Sequence, residues 1–65
     1  MTLNGQPFSL SQEAMTVADL LLAAGFEINR VAVMRNGDIV PRPEMSRLVV
    51  TDEDVLEVVS FVGGG

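Results

Sequence analysis

Histidine, cysteine and lysine are all missing from this chain, as are tryptophan and tyrosine. Without cysteine there is no disulfide staple, no thiolate nucleophile and no sulfur ligand for a metal. Without histidine no imidazole can serve a serine or threonine nucleophile as general base. Without lysine there is no side-chain amine to form a Schiff base or to accept an isopeptide bond. Positive charge is scarce: four arginines face nine carboxylates, a net charge of −5. Nucleic-acid binding needs a basic footprint, so nucleic acid is excluded as a partner and a basic protein surface is expected instead. Long apolar runs are missing too. None approaches the ~20 residues of a membrane span, and no charged stretch followed by an apolar one marks a secretory leader. The expectation is a soluble, cytoplasmic domain with no membrane contact.

What is present is enough to fold. The chain has 65 residues, 48% of them apolar and 20% charged, which suits one small core rather than a disordered segment. Asn4-Gly5 tolerates the positive φ of a two-residue hairpin turn. Leu3 precedes it and Phe8 and Leu10 follow, so a first hairpin is expected, with Pro7 turned away from any paired neighbour. Thr16 opens a helix as N-cap, and Asp19 reaches back to close a capping box. Val17, Leu20, Leu21 and Ala24 then share one helical face. Leu22 lies off that face and is expected to cover a neighbouring loop, and Gly25 suits a left-handed cap. These limits give a helix of about nine residues, roughly 13 Å long.

Val31-Ala32-Val33-Met34, the Asn36-Gly37 turn and Ile39-Val40 make a second hairpin. Pro41-Arg42-Pro43 stops it, and Pro43 to Ser46 can hold one helical turn. Leu48-Val49-Val50 reads as a further short strand, Thr51 to Asp54 as a polar turn, and Val55 to Val62 as the last and longest strand. The principal order is β-β-α-β-β-β, with one main helix on one face of a mixed sheet. Pairing the N-terminal hairpin with the final strand would make those two strands parallel. That is the ubiquitin-like β-grasp architecture, an α+β fold. It implies a β-grasp domain over residues 1–62 and a flexible glycine tail over 63–65.

Candidate chemistry is sparse. Asp52, Glu53, Asp54 and Glu57 cluster in sequence, but no metal-binding loop pattern accompanies them, and they read as a solvated acidic turn. No metal site and no catalytic residue is expected. Gly63-Gly64-Gly65 is the informative feature. Glycine has no side chain to clash in a narrow channel, and three extended residues reach about 10 Å. Parity along the last strand puts Leu56, Val58 and Val62 toward the helix and Glu57 outward. The outward face then also carries Val55, Val59 and Phe61. Val59 and Phe61 beside the tail make a candidate partner-docking patch.

Several segments resemble one family. Asn36-Gly37-Asp38-Ile39-Val40-Pro41-Arg42, Asp54-Val55-Leu56-Glu57-Val58-Val59 and the ending Phe61-Val62-Gly63-Gly64-Gly65 are similar to the thiamine-biosynthesis sulfur carriers of the ThiS type. The likeness covers essentially the whole chain. It implies a carrier that is not itself an enzyme and binds no cofactor. An E1-like adenylyltransferase, using ATP and magnesium, would adenylate the carboxylate of Gly65. Sulfur supplied indirectly by a cysteine desulfurase would turn it into a thiocarboxylate, and thiazole synthase would take that sulfur. Gly64 and Gly63 would form the rest of the tail. Three alternatives stay open: the small subunit of molybdopterin synthase, a modifier joined to another protein's lysines, and a passive β-grasp interaction domain.

Overall fold

Both Asn-Gly pairs form the turns expected of them. In the computed structural model, which describes residues 1–10 and 14–61, Asn4 and Asn36 each have φ of 52°, and Gly5 and Gly37 follow at 80° and 90°. Successive positive φ values give the tight primed turn that matches strand twist. The first turn joins β1 (Thr2–Leu3) to β2 (Gln6–Pro7), and the second joins β3 (Val31–Arg35) to β4 (Asp38–Ile39). Pro7 lies on an edge strand, where its missing donor costs no ladder bond.

The helix α1 (Val17–Ala23) has the capping box read from its sequence. Thr16 Oγ1 accepts from the Asp19 amide, and an Asp19 carboxylate oxygen accepts from the Thr16 amide, both at 3.1 Å. At the other end Gly25 has φ of 88°. Its amide donates to the Leu22 carbonyl, and the Phe26 amide donates to the Leu21 carbonyl at 2.8 Å. This double closure is a Schellman cap, and it limits the helix to seven residues instead of about nine. Leu22 does not cover a loop: it is 77% exposed.

The stretch Leu48–Val50 makes only a single bridge, Val49 to Thr16, rather than a strand. The reason lies in the helix start. The first amides of a helix have no partner within it. Here the Val17 amide donates to the Leu48 carbonyl and the Ala18 amide to the Met45 carbonyl, and the Val50 amide donates to the Met15 carbonyl. Residues 45–50 therefore close the helix N-terminus. The chain reaches them through a 3-10 turn at Arg42–Glu44, one residue earlier than expected; another, at Ile28–Arg30, connects α1 to β3.

The sheet order is β2-β1-β5-β3-β4, with β5 (Val55–Ser60) at its centre. β5 runs parallel to β1 and antiparallel to β3, as the β-grasp reading requires. Leu3, Val31, Val33, Leu56 and Val58 of the sheet and Val17, Leu20 and Leu21 of α1 are buried together in one core. Full burial of each such side chain contributes about 1.5–3 kcal/mol. The expected inward position of Val62, and the whole of the tail, lie outside the described residues.

Candidate functional site

β5 is built to present its carboxyl-terminal end from a fixed base. Its first residue follows Asp54, which is 4% exposed and buried among polar partners. Asp54 Oδ2 accepts from the Arg35 Nε at 3.0 Å and from the Thr51 amide at 2.8 Å, and Oδ1 accepts from the Asn36 Nδ2 at 3.0 Å. Burial alone would raise the Asp54 pKa. The donors from Thr51, Asn36 and Arg35 together outweigh it and hold the carboxyl below its usual value. Asp54 is therefore not part of a solvated acidic run, although Asp52 and Glu53 beside it are exposed.

Both turn asparagines also hold β5. Asn36 Oδ1 accepts from the Val55 amide at 2.9 Å, and Asn4 Oδ1 accepts from the Val58 amide at 2.7 Å. One asparagine comes from each hairpin, so the strand is held from its two neighbours at once. Arg42 of the Val-Pro-Arg segment bonds Asn29 Oδ1 at 3.2 Å and the Val31 carbonyl at 3.5 Å. That contact ties the segment after β4 to the start of β3.

The parity read from sequence places side chains as expected. Leu56 and Val58 face the core, whereas Val55, Glu57, Val59 and Phe61 face outward. Val59 is 61% exposed and Phe61 62% exposed, so both candidate docking residues are available to a partner. Phe61 does not pack back onto the sheet. The register extends this face to residues not singled out from sequence. Ala32 sits opposite Val59, Met34 opposite Glu57, and Ile39 opposite Met34. Ile39 is 75% exposed. The outer face is therefore an apolar band crossing β4, β3 and β5, interrupted by Glu57. The two-residue turn at Asn36-Gly37 already fixes the Met34–Ile39 pairing, which is the signal that would have found them.

Gly63, Gly64 and Gly65 lie outside the described residues. Among the described residues no group of three His, Cys, Asp or Glu side chains could hold a metal ion, and no helix is long and apolar enough to cross a membrane.

Residues 1–65, the whole chain, match the model of the ThiS family. The chain belongs to the ThiS family. Among its ThiS-family relatives is the sulfur carrier protein ThiS of Bacillus subtilis (strain 168), 35% identical over 65 residues, covering 100% of this chain and 98% of that one. The chain is also 42% identical over 65 residues to a thiazole synthase of Paramagnetospirillum magneticum, covering 100% of this chain and 20% of that protein. A thiazole synthase of Magnetococcus marinus is 40% identical over 63 residues, covering 97% of this chain and 19% of that protein. The chain thus spans about a fifth of the length of these two synthases. The crystal structure of the thiamine biosynthesis protein ThiS from Geobacter metallireducens superposes with a TM-score of 0.81 at 33% identity, covering 98% of this chain and 96% of that one. The ThiS likeness therefore holds in sequence and in three dimensions, and the fold is the ubiquitin-like β-grasp of the family.

Proposed function

We propose that this chain is a sulfur carrier for thiamine biosynthesis whose working group is the carboxylate of Gly65. The observation that carries the reading is the end-to-end match to a sulfur carrier of nearly the same length, on a fold whose central strand is the last described element before the glycines in sequence. A free carboxylate is a poor acyl donor because it is anionic and has no good leaving group. An E1-like adenylyltransferase with ATP and magnesium supplies that leaving group by forming an acyl-adenylate. A desulfurase takes sulfur from cysteine as a protein persulfide, whose terminal sulfur displaces AMP, and a thiol reductant then cleaves the resulting acyl disulfide to leave a thiocarboxylate. The chain's own part is to be gripped and to thread. Glycines at 63, 64 and 65 pass where a Cβ would clash, and Val59 and Phe61 anchor the base of the tail to the partner.

Thiazole synthase is the proposed acceptor. Two relatives bearing that name each contain a stretch like this chain within a much longer polypeptide, which favours the thiazole route over delivery to a pterin. The net charge of −5 suits a basic surface on each partner. The reaction takes place in the cytoplasm in this reading.

The test is an intact-mass measurement. The chain ending at Gly65 is incubated with ATP, magnesium, cysteine, a thiol reductant, a desulfurase and the adenylating enzyme, in a mixture that converts the Bacillus subtilis carrier. The expected product has one oxygen exchanged for sulfur, located at Gly65 by fragmentation. An unchanged mass, or sulfur placed anywhere else, overturns the reading.

A further inference from the structure

The two sides of β5 are not equally occupied. Toward β3 the ladder runs the whole length of the strand. Glu57 and Val59 sit opposite Met34 and Ala32, and beyond them the Phe61 amide donates to the Arg30 carbonyl at 2.8 Å. Toward β1 the bonds come from alternate residues. The Asp54 carbonyl accepts from the Thr2 amide and the Leu56 carbonyl from the Asn4 amide, at 3.1 and 2.9 Å. The Val58 amide then donates to the Asn4 side chain, because the backbone has already turned away at Asn4-Gly5. By the same alternation the Val58 carbonyl and both backbone groups of Ser60 point to the β1 side. Among the described residues none bonds to them.

An unpaired run of strand backbone is a template for another strand. The two outer strands of this sheet are blunted: β2 is two residues long and contains Pro7, and β4 is two residues long and is followed closely by Pro41. The open stretch of β5 has neither protection. It lies at the centre of the sheet, next to the residues that lead to Gly65, and beside the exposed side chains of Val59 and Phe61.

We propose that the protein receiving the glycine tail adds an extended segment of its own to this edge, pairing with Val58 and Ser60 in continuation of the line of β1. The proposal rests on the sulfur-carrier reading and deepens it by stating how the partner grips the base of the tail. Backbone pairing of this kind supplies affinity and alignment, while side chains supply selectivity. The segment that fits has apolar residues at alternate positions, lying over Val59 and Phe61, and a basic residue to meet an acidic carrier. Its hydrogen bonds would hold β5 straight past the point where β1 stops and so aim the tail into the partner.

Ser60→Pro tests this directly with thiazole synthase as the partner. The substitution deletes the Ser60 N–H, which faces the open side, and leaves the bonds to β3 in place. The expected result is a folded carrier that binds about tenfold more weakly, while Ser60→Ala, which keeps the amide, binds as the wild type does. Hydrogen exchange gives a second reading that needs no variant. The Ser60 amide should exchange faster than those of Val59 and Phe61 in the free chain, and slow at least tenfold in the complex. Wild-type affinity in a folded Ser60→Pro, or a Ser60 amide that stays fast in the complex, overturns the proposal and leaves the carrier reading standing. A wild-type chain that neither binds the synthase nor gains sulfur removes both.

Discussion

Three donors converge on the Asp54 carboxylate, and only one of them, the Arg35 guanidinium, is charged. The site joins the loop before β5 to the turn between β3 and β4. It is worth a large share of a 65-residue domain's total, which is of the order of 3–10 kcal/mol. Asp54→Ala should lower stability by about 2–3 kcal/mol at neutral pH, since hydrogen bonds to a buried charge are lost and their donors left without a partner. The native pKa is depressed, so the unfolded chain takes up this proton first as pH falls. The contribution is therefore full above about pH 4, the unfolded value, and disappears as pH drops through the lower native value. Urea unfolding of the wild type and Asp54→Asn over a pH series should show a stability gap that closes below about pH 4; a gap of constant size would refute the assignment. Nothing in the run Asp52-Glu53-Asp54 distinguishes its members by chemistry. Only the register that sets Asp54 beside Arg35 and Asn36 does so, and that register is a long-range property.

At the scale of elements, local signals were legible and shared ones were not. The capping box at Thr16, the glycine cap at Gly25 and both Asn-Gly turns are written in neighbouring residues, and each forms as read. The alternation along β5 was equally plain because Glu57 marks the outer face. Leu48-Val49-Val50 has the composition of a strand, yet its carbonyl and amide groups go to the helix entry at residues 15–17. That choice depends on where the helix start lies in space, which short-range patterning does not carry. The outward face of β5 makes its own prediction. Phe61 is exposed, so Phe61→Ala should leave thermal unfolding nearly unchanged, far from the ~3–5 kcal/mol cost of deleting a buried phenylalanine. Its affinity for the adenylating enzyme or for thiazole synthase should fall by about 2 kcal/mol, or some 30-fold. Unfolding and binding measured on the same preparation decide this, and intact affinity for both partners would remove Phe61 from the docking patch.

For the molecule as a whole, the described core and the proposed chemistry occupy separate parts of the chain. The buried apolar residues run from Leu3 to Val58, whereas the proposed working group is the carboxylate of Gly65. Gly64→Val should therefore leave the unfolding temperature unaltered and block adenylation, because a β-branched side chain both stiffens and widens the segment that must thread the partner. Adenylation of this variant at the wild-type rate would mean that no narrow channel is entered. The bond between Asn4 and Val58 joins positions 54 residues apart, and the strand it holds is the middle one of five. During synthesis the ribosome makes β1 to β4 first, and none of them can close the sheet while its centre is missing. Contacts of such separation form late and slowly. A nascent chain can bury Leu3 and Val33 against a finished core only after residues 55–60 have left the exit tunnel. Translation interrupted before β5 is complete thus yields a chain open to proteases rather than a folded domain. Every folded copy carries β5, and with it the edge and the apolar face that its partners are proposed to grip.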